Sequence, residues 1–107
     1  MRRSTLAGAV LLIAAATGSG APAGAAGDAA AGRDLARAWC ASCHVVDRTG
    51  GGTDAVPGFA AIAADPGLTT ESLRRYLANP RHPMPNPQLS TAQIDDLVAY
   101  ILGLRQQ

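Results

Sequence analysis

Lysine is missing from this chain, cysteine occurs only twice, and the aromatic inventory stops at Trp39, Phe59, Tyr76 and Tyr100. All nine basic residues are arginine, a bias that reads as a habit of the source genome rather than as a functional signal. Without Arg2 and Arg3, which belong to an N-terminal leader, seven basic residues face eight acidic ones. Such a near-neutral balance leaves no electrostatic footprint for nucleic acid or for an anionic membrane. No apolar run reaches the roughly 20 residues of a spanning helix, because Thr17-Gly18-Ser19-Gly20 interrupts the run from Leu6 to Ala16. The sequence offers no strand pattern, no Ser/His/Asp arrangement, no phosphate-cradling loop and no spare metal cluster.

What is present at the front is a secretory signal. Arg2 and Arg3 form a positive start, an uncharged Leu/Ile/Val/Ala run follows, and small-residue steps come at Ala21-Pro22-Ala23 and Ala23-Gly24-Ala25. Residues 1–26 are therefore expected to be a signal peptide and 27–107 the mature domain, with an uncleaved anchor as the alternative. No stable membrane insertion is expected of the mature part.

Cys40-Ala41-Ser42-Cys43-His44 reads C-x-x-C-H, the attachment site of a c-type haem. Two thiols must add to vinyl groups on one edge of a porphyrin, and an imidazole must reach the iron. Residues three and four apart share a face on a helical turn, so Cys40, Cys43 and His44 can all address one flat ligand. The imidazole nitrogen away from the iron then needs an acceptor to fix its tautomer. Three other readings compete. A redox dithiol needs a βαβ context, a zinc site would have to recruit His44 and His82 without paired spacing, and a disulfide would close a very small loop. The haem reading prevails and calls for one covalent haem c. Because such a haem is ligated after export, the general secretory route and a bacterial periplasm are the expected address, and a twin-arginine signal is not.

The mature part, roughly 80 residues, is small for a self-sufficient core, and a porphyrin would supply apolar surface that the few aromatics do not. The layout is all-α. A helix is expected from Asp28, its N-cap, through Leu35 and Trp39 to Cys43. Thr49-Gly50-Gly51-Gly52-Thr53 is a loop. A second helix starts near Thr69 or Thr70, aligns Leu73, Tyr76 and Leu77 on one face, and stops at Pro80. The prolines at 83, 85 and 87 force an extended segment over 81–87. Ser90-Thr91-Ala92-Gln93 fits a capping box opening a last helix with Ile94, Leu97, Val98, Ile101 and Leu102 on one stripe. Asp95 and Asp96 lie off that stripe as a solvated first turn.

The sixth iron position decides function. Besides Met1 the only methionine is Met84, held in Pro83-Met84-Pro85-Asn86. A soft thioether there favours ferrous iron and raises the potential, whereas the plainer reading makes Met84 a gap-filler in the core. His82 is the only rival donor.

These residues together resemble the class I, single-haem cytochromes c over essentially the whole mature chain. That resemblance implies three to four short helices around one haem, with the N- and C-terminal helices crossing where Gly32 and Ala36 meet Leu97 and Tyr100. A glycine at that crossing lets two backbones approach closely; Ala36 replaces the family's common aromatic. Val56-Pro57-Gly58-Phe59 is similar to the family's haem-pocket loop. By that likeness the Pro57 carbonyl accepts from the His44 ring, and Phe59 and Ile62 line the pocket. Tyr76-Leu77-Ala78-Asn79-Pro80 resembles the helix before the methionine loop, where the Tyr76 hydroxyl can approach the ligand sulfur. Met84 follows Pro80 sooner than in mitochondrial members, as in compact bacterial ones.

The expected function is electron transfer without substrate chemistry: His44 and Met84 as axial ligands, and redox proteins as partners. The donor would be a dehydrogenase or cytochrome complex, the acceptor an oxidase or reductase. One alternative is an electron-transferring subunit of a periplasmic dehydrogenase or oxidase complex. Another is an open-site gas sensor or peroxidase-like protein.

Overall fold

A computed structural model describes residues 8–15 and 27–107. Most of the features assigned to the leader, including Arg2, Arg3, Leu6, Ala16 and Ala21 to Ala25, lie outside the described residues. Residues 8–15 are exposed and have no regular secondary structure. None of the helices among the described residues is long and apolar enough to cross a membrane.

The described residues form four α-helices and no strands: α1 (Ala29–Trp39), α2 (Phe59–Ala64), α3 (Thr70–Ala78) and α4 (Thr91–Gly103), with a closing 3-10 turn at Leu104–Gln106. The all-α expectation holds. Three of the starts follow from side-chain caps that satisfy the first orphan amides. Asp28 accepts from Ala30 and Ala31, Thr69 pairs reciprocally with Ser72, and Ser90 does the same with Gln93.

α1 packs chiefly on α4. Gly32 makes that possible, since a Cβ there would collide with the Asp96 carbonyl and press on the Tyr100 Cβ. The Asp28 amide donates to Asp96 Oδ1 at 2.8 Å, locking the start of α1 to the same turn. Ala36 and Leu97 are fully buried beneath this contact. Gly32→Ala is accordingly expected to cost about 1–3 kcal/mol or more through overpacking against backbone that cannot yield, read by denaturant unfolding of the haem-loaded protein.

Four expectations need correction. α1 ends at Trp39, with Cys40 as its C-cap, so the haem motif forms a separate turn rather than the last turn of a long helix. α2 was not anticipated: its six residues, Phe-Ala-Ala-Ile-Ala-Ala, are too few to show a polar–apolar period. Residues 81–87 are not uniformly extended, because the Met84 amide donates to the Arg81 carbonyl at 3.0 Å and closes a turn. Asp95 and Asp96 lie beyond the first turn of α4 and are not simply solvated: Asp96 holds the Asp28 amide, and Asp95 Oδ1 sits 2.8 Å from Arg74 Nε. On the predicted α4 stripe Ile94, Leu97, Val98 and Ile101 are buried, while Leu102 is only partly covered.

Candidate functional site

Cys40 to His44 form one tight turn, with the Cys43 and His44 amides both donating to the Cys40 carbonyl at 3.1 and 2.9 Å. That spacing of three and four puts Cys40, Cys43 and His44 on the wall of a single cavity of about 1280 Å³. The volume exceeds the roughly 300–1,000 Å³ of an ordinary small-molecule site.

The turn is gripped from several directions. The Gly52 amide donates to the Ala41 carbonyl at 2.8 Å and the Thr53 amide to the Cys43 carbonyl at 3.1 Å. This approach requires Gly52, at φ +77°, because a Cβ there would strike the backbone of His44 and Val45. The Phe59 amide, at the start of α2, donates to the Val45 carbonyl at 2.9 Å. From α4, the buried Tyr100 hydroxyl donates to the Val46 carbonyl at 2.6 Å. Burial, then the nearby Asp47 carboxylate, pushes the Tyr100 hydroxyl pKa up, so it stays a donor.

Asp47, next in the chain, receives the Thr49 hydroxyl and amide and the Arg37 guanidinium, with Arg33 at 3.5 Å. The Thr49 bonds, and then Arg37, hold its carboxyl well below the ordinary value of 3.8. A depressed carboxyl contributes stability above its unfolded pKa and loses it as pH falls. Asp47→Asn is therefore expected to melt at a lower temperature at neutral pH. Its deficit against the unmodified protein should shrink once pH drops below about 3.8, as followed by thermal melts across an acid series.

The His44 ring has one clear orientation. Its Nδ1 lies 2.7 Å from the Pro57 carbonyl, and a carbonyl can only accept, so Nδ1 carries a proton and, in the neutral ring, Nε2 is the nitrogen with the lone pair. Phe59, buried, stands 5.4 Å from the His44 ring centroid to centroid. Ile62 and Tyr76 also line the cavity, as do Met84 and His82. Met84 is partly covered; His82 is exposed. Tyr76 does not share the burial of Leu73 and Leu77: it is 40% exposed, with its ring at the cavity wall rather than in the core.

The rival readings of the cysteines fare poorly. Redox dithiols run on a lowered thiol pKa, whereas burial pushes Cys40 up. Among the described residues no three His, Cys, Asp or Glu side chains gather closely enough to hold a metal ion by themselves. A largely apolar wall, two thiols on one turn and an imidazole with its free lone pair fit a flat, apolar, thiol-linked iron macrocycle.

Sequence reasoning missed two contributors. Arg105 donates to the carbonyls of Ala63, Asp65 and Leu68 at 2.6, 3.0 and 2.7 Å, tying the end of the chain to α2. Asp47 is the second: the Asp-Arg-Thr step at 47–49 carries a turn signal of the side-chain-to-backbone kind.

Helices without strands, packed around a cavity that carries C-x-x-C-H on its wall, define a small c-type cytochrome. The chain belongs to the cytochrome c family, residues 27–101 matching the family model described as cytochrome c oxidase, cbb3-type, subunit III. It is also similar to cytochrome c-552 of Bradyrhizobium diazoefficiens, at 44% identity over 81 residues that span 75% of this chain and 78% of the relative. No solved structure matches it. Membership makes haem c the cofactor and haem-based electron transfer the activity: the chain is an electron carrier that works with redox partners and not itself an enzyme.

Proposed function

We propose that this protein is a periplasmic electron carrier with one haem, joined by thioethers to Cys40 and Cys43 and ligated axially by His44 and Met84. The observation that carries the reading is the His44 Nδ1 contact with the Pro57 carbonyl at 2.7 Å, which leaves Nε2 free for iron. Such an acceptor also raises ligand basicity and fixes ring orientation. Phe59 and Ile62 line the haem pocket, Tyr76 adds a hydroxyl-bearing ring to its wall, and the Met84 thioether favours ferrous iron. The bound haem supplies a one-electron couple; the packed residues around it limit rearrangement between oxidation states. Residues 1–26 act as the export signal for the domain at 27–107, through the general secretory route.

Protein matured with the haem-attachment machinery is expected to keep one haem through denaturation and acidic organic extraction. Extractable haem, or two titratable thiols in the purified protein, would defeat this assignment. A second reading is favoured by the matching family description: a fixed subunit delivering electrons within an oxidase complex. Native size-exclusion chromatography of the exported protein separates the two, a free carrier eluting alone and a subunit with its complex.

A further inference from the structure

Of the seven arginines among the described residues, four have evident partners. Arg33 and Arg37 flank Asp47, Arg74 meets Asp95, and Arg105 holds three carbonyls. Arg48, Arg75 and Arg81 form no ion pair with any carboxylate among the described residues. Two of these three, Arg75 in the last turn of α3 and Arg81 just after Pro80, line the same cavity as Cys40, Cys43 and His44; Arg48 does not. Among the described residues no aspartate or glutamate lines that cavity. Its wall therefore combines apolar surface with two arginine residues and no acidic one. Such a wall suits a ligand that is apolar over most of its area and carries acid groups at one edge.

We propose that Arg75 and Arg81 bind the two propionate carboxylates of the haem. This assignment rests on the haem reading above and deepens it by naming the groups that receive the cofactor's charge. Guanidinium matches carboxylate geometry and stays charged at every physiological pH. Arg81 has a second part in the arrangement, because its backbone carbonyl accepts the Met84 amide at 3.0 Å. One residue thus joins the propionate edge to the turn that bears the sulfur. The electrostatic consequence has a definite sign. An uncompensated propionate stabilises ferric iron, so a paired arginine keeps the potential high.

The test is spectroelectrochemistry on the haem-loaded protein with Arg75→Gln, Arg81→Gln and the double variant. Each single change is expected to reduce the ferrous-to-ferric ratio at fixed electrode potential about threefold to tenfold, which is roughly 28–59 mV at about 59 mV per decade. Arg81→Lys should recover part of the loss. Redox-difference infrared spectra should show propionate carboxylate bands displaced in both single variants. Arg48→Gln removes a charge away from the cavity and should change the ratio less than twofold with the bands unmoved. Equal shifts in all three arginine variants, with unmoved bands, would reduce the effect to general surface charge and overturn the proposal. Unmoved potentials combined with slower electron exchange with an acidic redox partner would reassign the two arginines to partner docking, and the proposal would fall there too. Covalent haem present in the unmodified protein with potentials indifferent to Arg75 and Arg81 defeats the propionate assignment alone; a chain that attaches no haem defeats it together with the reading beneath it.

Discussion

Met84→Ala is expected to abolish the far-red sulfur-to-iron charge-transfer band of the oxidised protein, open the ferrous iron to carbon monoxide and lower the reduction potential. Axial ligation spans roughly 0.8 V across haem proteins. Losing a thioether that favours ferrous iron should cost on the order of a hundredfold in the ferrous-to-ferric ratio, roughly 120 mV at about 59 mV per decade. The structural ground is local. Met84 is partly covered on the cavity wall, and its amide is fixed to the Arg81 carbonyl, so a weak ligand is carried by a closed turn instead of a loose strand. His82→Ala should leave band, gas binding and potential nearly intact, since that side chain is exposed. The pair of variants separates three chemistries. If Met84→Ala were silent and His82→Ala lost six-coordination, the iron would be bis-histidine and the protein a low-potential carrier. Rapid stoichiometric carbon monoxide binding by the unmodified protein would instead indicate an open site and a sensor or peroxidase-like role.

The second large effect belongs to the thiols. A Cys40→Ser, Cys43→Ser double variant is expected to lose most of its helical circular dichroism and to show no cooperative melt. Among the described residues the buried apolar set comprises only eleven, two of them alanine: Ala36, Val46, Phe59, Ala63, Leu73, Leu77, Ile94, Leu97, Val98, Tyr100 and Ile101. Several, including Phe59, Leu73, Leu77 and Ile101, also face the 1280 Å³ cavity. Without the macrocycle one side of each meets water or a void, and a void forfeits both transfer free energy and dispersion contacts. Chains of this size have little stability in reserve. A sharp, native-like transition in the haem-free double variant would refute this account.

What could be read in advance follows the strength of the local signal. The α4 start was legible because Ser90 and Gln93 form a capping box whose chemistry is complete within four residues. The α3 start needed only Thr69 and Ser72, and Asp28 was legible as a cap for the same reason. Gly32 was legible only through likeness to a family, since nothing near it in sequence mentions Asp96 or Tyr100. The end of α1 was overrun because Ala-rich sequence carries no stop signal, and Cys40 caps the helix with its backbone alone. Tyr76 was placed with Leu73 and Leu77 by helical period, yet the period says which residues share a face and not whether that face meets core or cavity. The contact between His44 and Pro57 lay between those extremes. The imidazole's need for an acceptor is plain from chemistry, whereas Pro57 as that acceptor is legible only through likeness to a family, since it lies 13 positions from the histidine.

The bond between the Asp28 amide and Asp96 Oδ1 spans 68 positions, and that separation imposes an order on events. A chain emerging from its N-terminus displays Cys40, Cys43 and His44 well before residues 91–103 exist to cover α1. Local helices form in about a microsecond or less, whereas contacts between distant segments come later because the intervening loop must first be closed. The last helix acts in this respect as a timer. Until it arrives Gly32 has no backbone to meet and Val46 has no tyrosine hydroxyl to hold its carbonyl.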